Sequence, residues 1–408
     1  MVLIKIAWRS VWRSKTRSLV VIFAIASGLL GGIFSSAWMN GMADQRVKST
    51  FSLEIGHMQV HHKGYLENPD VKKTILGTEA KLDSLSRVTG VRAVTSRILA
   101  NGMAATANKN LGVNIVGVDP IREKEVFAIY EKVDTATGDF FESEGRNPIV
   151  ISQALARELR VKPRSKIVLT FQDYHGEITG AAFKVAGIYK TNNTPWDKMH
   201  VYVRDADLRR VLEVPAGESH EIVLRLEDPE EALALRPRLA EKYPDAVVED
   251  WSTLSPYINM MSGYMDTMMG LFMAIILGAL GFGIVNTMLM VVLERTKELG
   301  MLMAVGMTRR RVFLMIMYET IFLAVVGALL GELLSLLAIS YFTRVGIDLS
   351  SVAAGMESVG YAAVTYPMLE AYRYLQITAL VVFTAILASI YPAWKALRLH
   401  PAEALRTI

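Results

Sequence analysis

The chain alternates long apolar runs with stretches of mixed polar and apolar residues. Three runs contain no Asp, Glu, Lys or Arg and are 26, 27 and 21 residues long: 18–43, 267–293 and 374–394. A fourth apolar run, 312–343, carries only Glu319 and Glu332 as charged residues. Because about 20 apolar residues let a helix cross the hydrocarbon core of a bilayer, the pattern predicts four transmembrane helices. One lies near the N-terminus and three lie near the C-terminus.

The first run, 18–43, follows basic residues, as the apolar region of a signal peptide does. That region is usually only about 7–15 residues long, whereas this run has 26. We therefore expect an uncleaved transmembrane helix, and a signal peptide is the alternative.

Between the first two spans lies a long segment, 44–266, with the pattern of an α+β domain. Short β-rich runs occur at 58–62, 91–99, 112–118, 166–171, 183–189, 199–203 and 221–226. Helical patterns occur at about 78–88, 152–160, 205–213 and 229–242. Its length predicts two subdomains, with boundaries expected at the Gly-, Asn- and Pro-rich clusters 144–148 and 191–195.

The composition agrees with a chain that is partly in lipid and partly in water. Hydrophobic residues make up 52% and charged residues 21%, and the mean hydropathy is +0.30. Cysteine is absent, which excludes disulfides, thiolate zinc sites and cysteine nucleophiles.

The distribution of the charges predicts the topology. The net charge is +5 over 1–17, +3 over 294–311 and +2 over 395–408, whereas 44–266 has −3. Since positive loops remain in the cytoplasm, both termini are expected there. The acidic outer segment argues against binding of nucleic acid.

The expected cytoplasmic segments are an amphipathic helix (1–17), a coupling segment (294–311) and a tail (395–408). The expected spans are span 1 (18–43), span 2 (267–293), span 3 (312–343) and span 4 (374–394). The extracytoplasmic domain (44–266) and an outer loop (344–373) are expected on the other side. Within the first segment, Lys5, Arg9, Arg13 and Arg17 recur every four residues beside Trp8 and Trp12. This spacing predicts a helix that lies on the inner membrane surface.

Motifs of enzyme chemistry are missing from the sequence. It contains no P-loop and no HExxH or GxSxG motif, so we expect no catalytic residues and no cofactor on this chain. His57, His61 and His62 lie close together. Residues 57 and 61 share one strand face while His62 points away, so a polar strand edge is favoured over a metal site.

Two features of the spans invite functional interpretations. Glu319 and Glu332 are ionisable groups within a span, and such groups are often functional. For Glu332 the alternatives are a role in a cavity or protomer interface and a polar group satisfied within the bundle.

The outer end of span 2 contains a methionine cluster, whose flexible side chains suit a surface for apolar cargo. Ordinary packing is the alternative. The candidate cargo residues are Met260, Met261, Met265, Met268 and Met269.

Three motifs resemble the signature of the FtsX/MacB/LolC-type permease superfamily of ABC transporters. Residues 294–307 read ERTKELGMLMAVGM and resemble its ERxKExGxxxAxG segment, although Met303 stands where a basic residue is common. Residues 392–406 are similar to its PAxxAxxxxPxxALR tail, and 7–17 to its AxR[NS]xxRxKxR start. The arrangement of one span plus three spans also agrees.

The resemblance implies a permease in the bacterial inner membrane that works with a cytoplasmic ABC ATPase on a separate chain. ATP and Mg²⁺ would bind that partner. A second permease chain, identical or paralogous, and a periplasmic carrier or adaptor are further implied partners. The residues implied in coupling to the ATPase are Glu294, Arg295, Lys297, Glu298, Gly300, Ala304, Gly306 and Met307. Without the resemblance, this segment is an ordinary basic inner loop.

Among the functions of this superfamily, we expect the release of lipoproteins or other lipidated cargo from the inner membrane. The alternatives are MacB-like efflux of drugs or peptides with an adaptor and FtsX-like regulation of an extracytoplasmic hydrolase. A secondary transporter is disfavoured, because two isolated carboxylates in one span do not form an ion pathway.

Overall fold

The computed structural model describes residues 2–13, 15–107, 109–143 and 145–397. Most of the predicted tail, 395–408, therefore lies outside the described residues. The chain divides into two compact units. The helical unit contains 1–43, 262–348 and 364–408, and the sheet unit contains 44–261 and 349–363.

The helices follow the chain in this order: α1 Val2–Arg13, α2 Lys15–Thr50, α3 Thr78–Ser86, α4 Pro120–Val126, α5 Gln153–Leu159, α6 Thr194–Met199, α7 Asp205–Leu212, α8 Glu231–Lys242, α9 Trp251–Leu254, α10 Pro256–Glu294, α11 Thr296–Ala304, α12 Arg309–Val345, α13 Ala353–Ser358 and α14 Ala371–Leu397. The strands are β1 Met58–His62, β2 Val91–Ala105, β3 Asn110–Val118, β4 Pro148–Ser152, β5 Lys166–Gln172, β6 Ile178–Tyr189, β7 His200–Arg204, β8 Glu221–Leu226, β9 Ala246–Asp250, β10 Ile347–Asp348 and β11 Val364–Thr365.

Within the described ranges, four helices are long and apolar enough to cross a membrane: α2, α10, α12 and α14. Each contains one of the predicted apolar runs and continues beyond it into polar residues. The first, α2, begins at Lys15 and ends at Thr50. A π-helical turn, Phe51–Ile55, follows and ends at Gly56, whose φ of 69° favours glycine.

Spans α2 and α12 pack closely because two glycines of α12 face α2. A Cβ atom at Gly331 would lie 2.9 Å from the Cα atom of Ala26, and one at Gly327 would lie 2.9 Å from the Cβ atom of Ile25. Small residues spaced four apart allow two helix backbones to approach in lipid. The buried core of the helical unit extends from this contact to α10 and α14.

The basic N-terminal helix α1 packs on α12. Its residues Ala7 and Val11 are buried. The rings of Trp8 and Phe322 pack edge to face, with their centroids 5.2 Å apart. Ile4, Trp8 and Trp12 recur every four residues along one stripe of α1 and stay exposed. The helix predicted to lie on the membrane surface therefore also packs one of its faces against the bundle.

In the sheet unit, the described strands form one sheet in the order β3-β7-β4-β6-β5-β2-β8-β1-β9. Because β2 also pairs with β3, the six strands from β3 to β2 close into a barrel. The remaining strands β8, β1 and β9 extend the sheet from β2. Helices α3 and α8 contribute Leu82, Leu85, Leu235 and Leu239 to the core of this extension.

The long strand β2 joins the two parts of the sheet unit. Its first half pairs with β8 and its second half with β3, and Arg97 takes part in both ladders. Each part has its own buried core. The boundaries expected at 144–148 and 191–195 were wrong, because these segments adjoin barrel strands: 145–147 precede β4, and 191–195 join β6 to β7. The true boundary crosses β2.

Arg97 occupies this boundary with two carboxylates around it. Its Nη2 atom lies 2.5 Å from Oε1 of Glu123, and its Nη1 atom lies 3.5 Å from Oε1 of Glu221. The guanidinium stacks at 3.7 Å on the ring of Phe127. All four residues are buried. Burial raises the pKa of both carboxyl groups, and Arg97 opposes that shift.

The middle of the predicted outer loop 344–373 belongs to the sheet unit. Glu357 in α13 forms a 2.7 Å ion pair with Lys190, which follows β6. Nearby in the same unit, Arg46 at the end of α2 forms a buried 2.7 Å ion pair with Glu54, and Asn193 donates to the same carboxylate at 2.8 Å. The end of α2 is thereby tied to the barrel by buried polar contacts.

We expect Gly331→Ile to destabilise the helical unit, since the new side chain has no room against Ala26. Overpacking of this kind typically costs about 1–3 kcal/mol. Gly283→Ile is the matched control, because nothing lies within 4 Å of a Cβ at this span position. Thermal unfolding of the purified chain in one detergent measures both. Equal melting temperatures for the two variants would contradict the packing described.

The sheet unit is expected to lose stability in acid through His57. Its Nδ1 atom accepts a 3.0 Å hydrogen bond from the backbone of Leu226, and burial, aided by Arg225, lowers its pKa to about 4. The unfolded chain binds a proton at about pH 6.5, so the free energy of unfolding falls as the pH drops from there towards 4.

At pH 5, the shifted pKa of His57 lowers the free energy of unfolding by about 2 kcal/mol relative to neutral pH. Melting temperatures at pH 7 and pH 5 should therefore differ less for His57→Asn than for the wild type. His62→Asn, a change in the same segment at a half-buried position, should behave like the wild type. The same pH dependence in all three chains would show that His57 is not responsible.

Candidate functional site

The predicted coupling segment, 294–311, forms a short helix between two breaks. Helix α10 ends at Glu294, and Arg295 leaves helical geometry with φ −99° and ψ 16° before α11 begins. After α11, Gly306 has φ 104°, a conformation that favours glycine. The backbone N–H groups of Gly306 and Met307 then bond to carbonyl groups of α11. Both breaks therefore coincide with residues of the ERxKExGxxxAxG motif.

The two faces of α11 differ in burial. Leu299 and Gly300 are buried towards the bundle. The residues on the other side are exposed and recur at helical spacing, ending with Val305 just after the helix, which is 84% exposed. We call them the exposed α11 face: Lys297, Met301, Ala304 and Val305. One cation and three small or apolar side chains thus face away from the bundle.

A chain of four alternating charges connects three helices at this site. The Nη1 atom of Arg295 lies 3.1 Å and 3.3 Å from the two carboxylate oxygens of Glu319 in α12. The Nε atom of Arg295 donates at 3.0 Å to Glu298 in α11. Glu298 also accepts from Arg13 of α1. The charges consequently hold α1, α11 and α12 together.

Partial burial by itself would raise the pKa of Glu298. The hydrogen bonds and positive charges of Arg295 and Arg13 outweigh that effect and hold its pKa below the usual range. For Arg295, burial opposes the charged form, and Glu319 with Glu298 nevertheless raises its pKa. Glu298 and Arg295 are therefore both charged at neutral pH.

Small cavities lie on both sides of the Arg295–Glu319 pair. One, of about 20 Å³, is lined by α1 and α2 residues such as Ser10 and Ser18 and by Leu323. The other, of about 10 Å³, is lined by Leu299 and by residues of α10 and α12. The buried hydroxyl of Ser10 has no hydrogen-bond partner among the described residues.

Glu332, the second carboxylate of the span, lies in a different environment. It is half-buried and, within the part of the chain that the structure describes, forms no hydrogen bond or ion pair, while Leu333, Leu336 and Leu337 beside it are exposed. The two glutamates therefore have separate surroundings.

The candidate cargo methionines lie along α10. Met260 is 74% exposed, and Met265, Met268 and Met269 are half-buried. The side chain of Met261 lies outside the described residues. The last three share one helix face by their spacing of three and four residues. Their role in binding cargo stays a prediction.

The three neighbouring histidines have separate hydrogen-bond partners. His61 bonds to the carbonyl of His220 and to Gln59, and His62 bonds to the carbonyl of Lys63. In the described ranges, no group of three or more potential ligand side chains could hold a metal ion.

Sequence reasoning missed that Arg13, Glu298, Arg295 and Glu319 form one network. The sequence indicated Glu319 only as an ionisable residue within a span, without a partner. A signal was available: Glu319 lies about three helical turns from the start of α12, at a depth that the side chain of an arginine at the end of the preceding span can reach. Ser10 occupies the [NS] position of the start motif, but its place beside this network was not predicted.

Two family models match the chain. The MacB-like periplasmic core domain matches residues 18–242, and the FtsX-like permease C-terminal model matches residues 270–401.

Relatives with similar sequences cover nearly the whole chain. It is 25% identical to the macrolide export ATP-binding/permease protein MacB of Agrobacterium fabrum over 98% of this chain, and it spans only 60% of that protein. It is 24% identical to the lipoprotein-releasing system transmembrane protein LolC of Neisseria meningitidis, covering 95% of this chain and 94% of LolC. The crystal structure of the periplasmic region of MacB from Actinobacillus actinomycetemcomitans has 11% identity and a TM-score of 0.34, and the match covers 53% of this chain and 98% of that one.

Proposed function

Since the chain belongs to the ABC transporter permeases that combine a MacB-like periplasmic core domain with an FtsX-like C-terminal domain, we propose that it transmits ATP-driven motion to its periplasmic domain. The ATPase is a separate cytoplasmic chain that binds ATP and Mg²⁺. This chain supplies no catalytic group, and its termini face the cytoplasm. Two permease chains, identical or paralogous, work together in the complex.

The observation that carries this proposal is the exposed α11 face. Lys297, Met301 and Val305 point away from the bundle, while Leu299 anchors the same helix to it. A short helix with one buried and one exposed side suits docking into a cleft of another protein. The charged contacts of Arg295 and Glu298 let a force on α11 reach α1 and α12.

For the cargo, we propose lipoproteins or other lipidated molecules of the inner membrane. The similarity to LolC over nearly the full length of both chains supports this choice. The exposed Met260 is an apolar contact point on α10. The second candidate is MacB-like efflux with a periplasmic adaptor, which the match to the MacB-like core domain favours.

Acidic substitutions on the exposed α11 face should weaken ATPase binding. We expect Met301→Glu and Val305→Glu each to reduce co-purification of the ATPase at least about tenfold, which equals about 1.4 kcal/mol. Folding should not change, because both side chains are exposed. Val359→Glu, the same change at an exposed position of the sheet unit, is the control. Undiminished ATPase binding by both α11 variants would contradict the coupling assignment.

Depletion of the permease should trap lipoproteins in the inner membrane. The measurement is the distribution of lipidated proteins between membrane fractions, with mass spectrometry of molecules that co-purify with the wild-type complex. Restoration by wild-type chain and not by Val305→Glu would tie the effect to ATPase coupling. Normal sorting together with a co-purifying drug or peptide would favour efflux instead.

A further inference from the structure

Arg295 lies at the break between span α10 and helix α11, so its side chain can control the angle between them. Its backbone forms the first break of the coupling segment. Its guanidinium bonds to Glu298 on one side and to Glu319 on the other. A single residue thus connects α10, α11 and α12.

The two carboxylates that bond to Arg295 differ in their exposure to solvent. The side chain of Glu319 is 7% exposed, whereas that of Glu298 is 37% exposed. A buried ion pair is costly to separate unless each charge finds another partner. Glu298 is such a partner for Arg295, because it already accepts a hydrogen bond from the Nε atom.

Glu319 also has a potential partner close by. The hydroxyl of Ser10, which has no hydrogen-bond partner in the part of the chain that the structure describes, lines the same cavity of about 20 Å³ as Glu319 and Arg295. A hydroxyl can donate to a carboxylate. A cavity of this size accommodates one water molecule. The second cavity, of about 10 Å³ and lined by Leu299, also borders Arg295 and Glu319.

We propose that Arg295 and Glu319 are positioning residues whose ion pair fixes α11 in its resting orientation and separates when the ATPase moves α11. The guanidinium then stays with Glu298, and the Ser10 hydroxyl, with or without a water, solvates Glu319. The inference rests on the proposed function, because it requires an ATPase docked on the exposed α11 face. It assigns α1, which carries Ser10 and Arg13, to the moving assembly.

The absence of cysteine permits a direct test with Ser10→Cys, which places the only thiol of the chain at this cavity. The complex of full-length chain and ATPase in nanodiscs is treated with a methanethiosulfonate reagent, and labelling is scored by the mass of this chain. We expect the labelling rate to be at least fivefold higher in the state trapped with ATP and vanadate than in the nucleotide-free state. In the Ser10→Cys/Glu319→Gln chain, the rate should be high in both states.

Turnover supplies a second readout that a purely structural role would not move. Glu319→Gln should keep ATPase binding within threefold of the wild type and continue ATP hydrolysis, while the amount of cargo released per ATP falls at least tenfold. Glu319→Asp, which keeps the charge, should restore part of the release. The control is Glu370→Gln, the same change at an exposed carboxylate of the helical unit, which should behave like the wild type.

The outcomes separate the two levels of the proposal. Wild-type chain that binds no ATPase overturns the proposed function and this inference with it. Wild-type chain that binds the ATPase, but whose Cys-labelling rate is the same in both nucleotide states, overturns only the role of the Arg295–Glu319 pair. Full release per ATP by Glu319→Gln has the same consequence.

Discussion

The cost of a charge in hydrocarbon is the constraint on which the helical unit depends. An ionised side chain within a span is expensive unless it is paired or reaches water. Three of the spans contain apolar runs with no such group. In α12, Glu319 is buried and receives two hydrogen bonds from Arg295. This pairing links the end of span 2 to span 3 at Arg295, the residue that precedes α11.

The same constraint explains how much could be predicted. Apolar runs, three of them free of charge, revealed the spans without any fold information. The β-rich runs 58–62 and 221–226 coincide with β1 and β8. Motifs at three places in the chain revealed the superfamily, and the two family models confirm it. These successes concern local pattern, which a sequence displays directly because periodicity and charge are properties of neighbouring residues.

The failures concern contacts between distant residues. The Gly-, Asn- and Pro-rich cluster 144–148 was predicted to be a boundary, although the strand that begins at its end, β4, pairs with β6 and β7 within the barrel. The pair Arg295–Glu319 joins residues 24 positions apart in sequence on two helices. The segment 349–363 belongs to the sheet unit through contacts such as Lys190–Glu357. Such contacts follow from the packed arrangement, which no local pattern encodes.

The shared strand β2 has a mechanical consequence. Its 15 residues bond to β8 along one part and to β3 and β5 along another, and Arg97 with its two carboxylates fills the crossing point. Any bend between barrel and extension must shear two hydrogen-bonded ladders and separate a buried guanidinium from its partners. The joint therefore resists twisting, so that a torque applied to one part is passed on to the other.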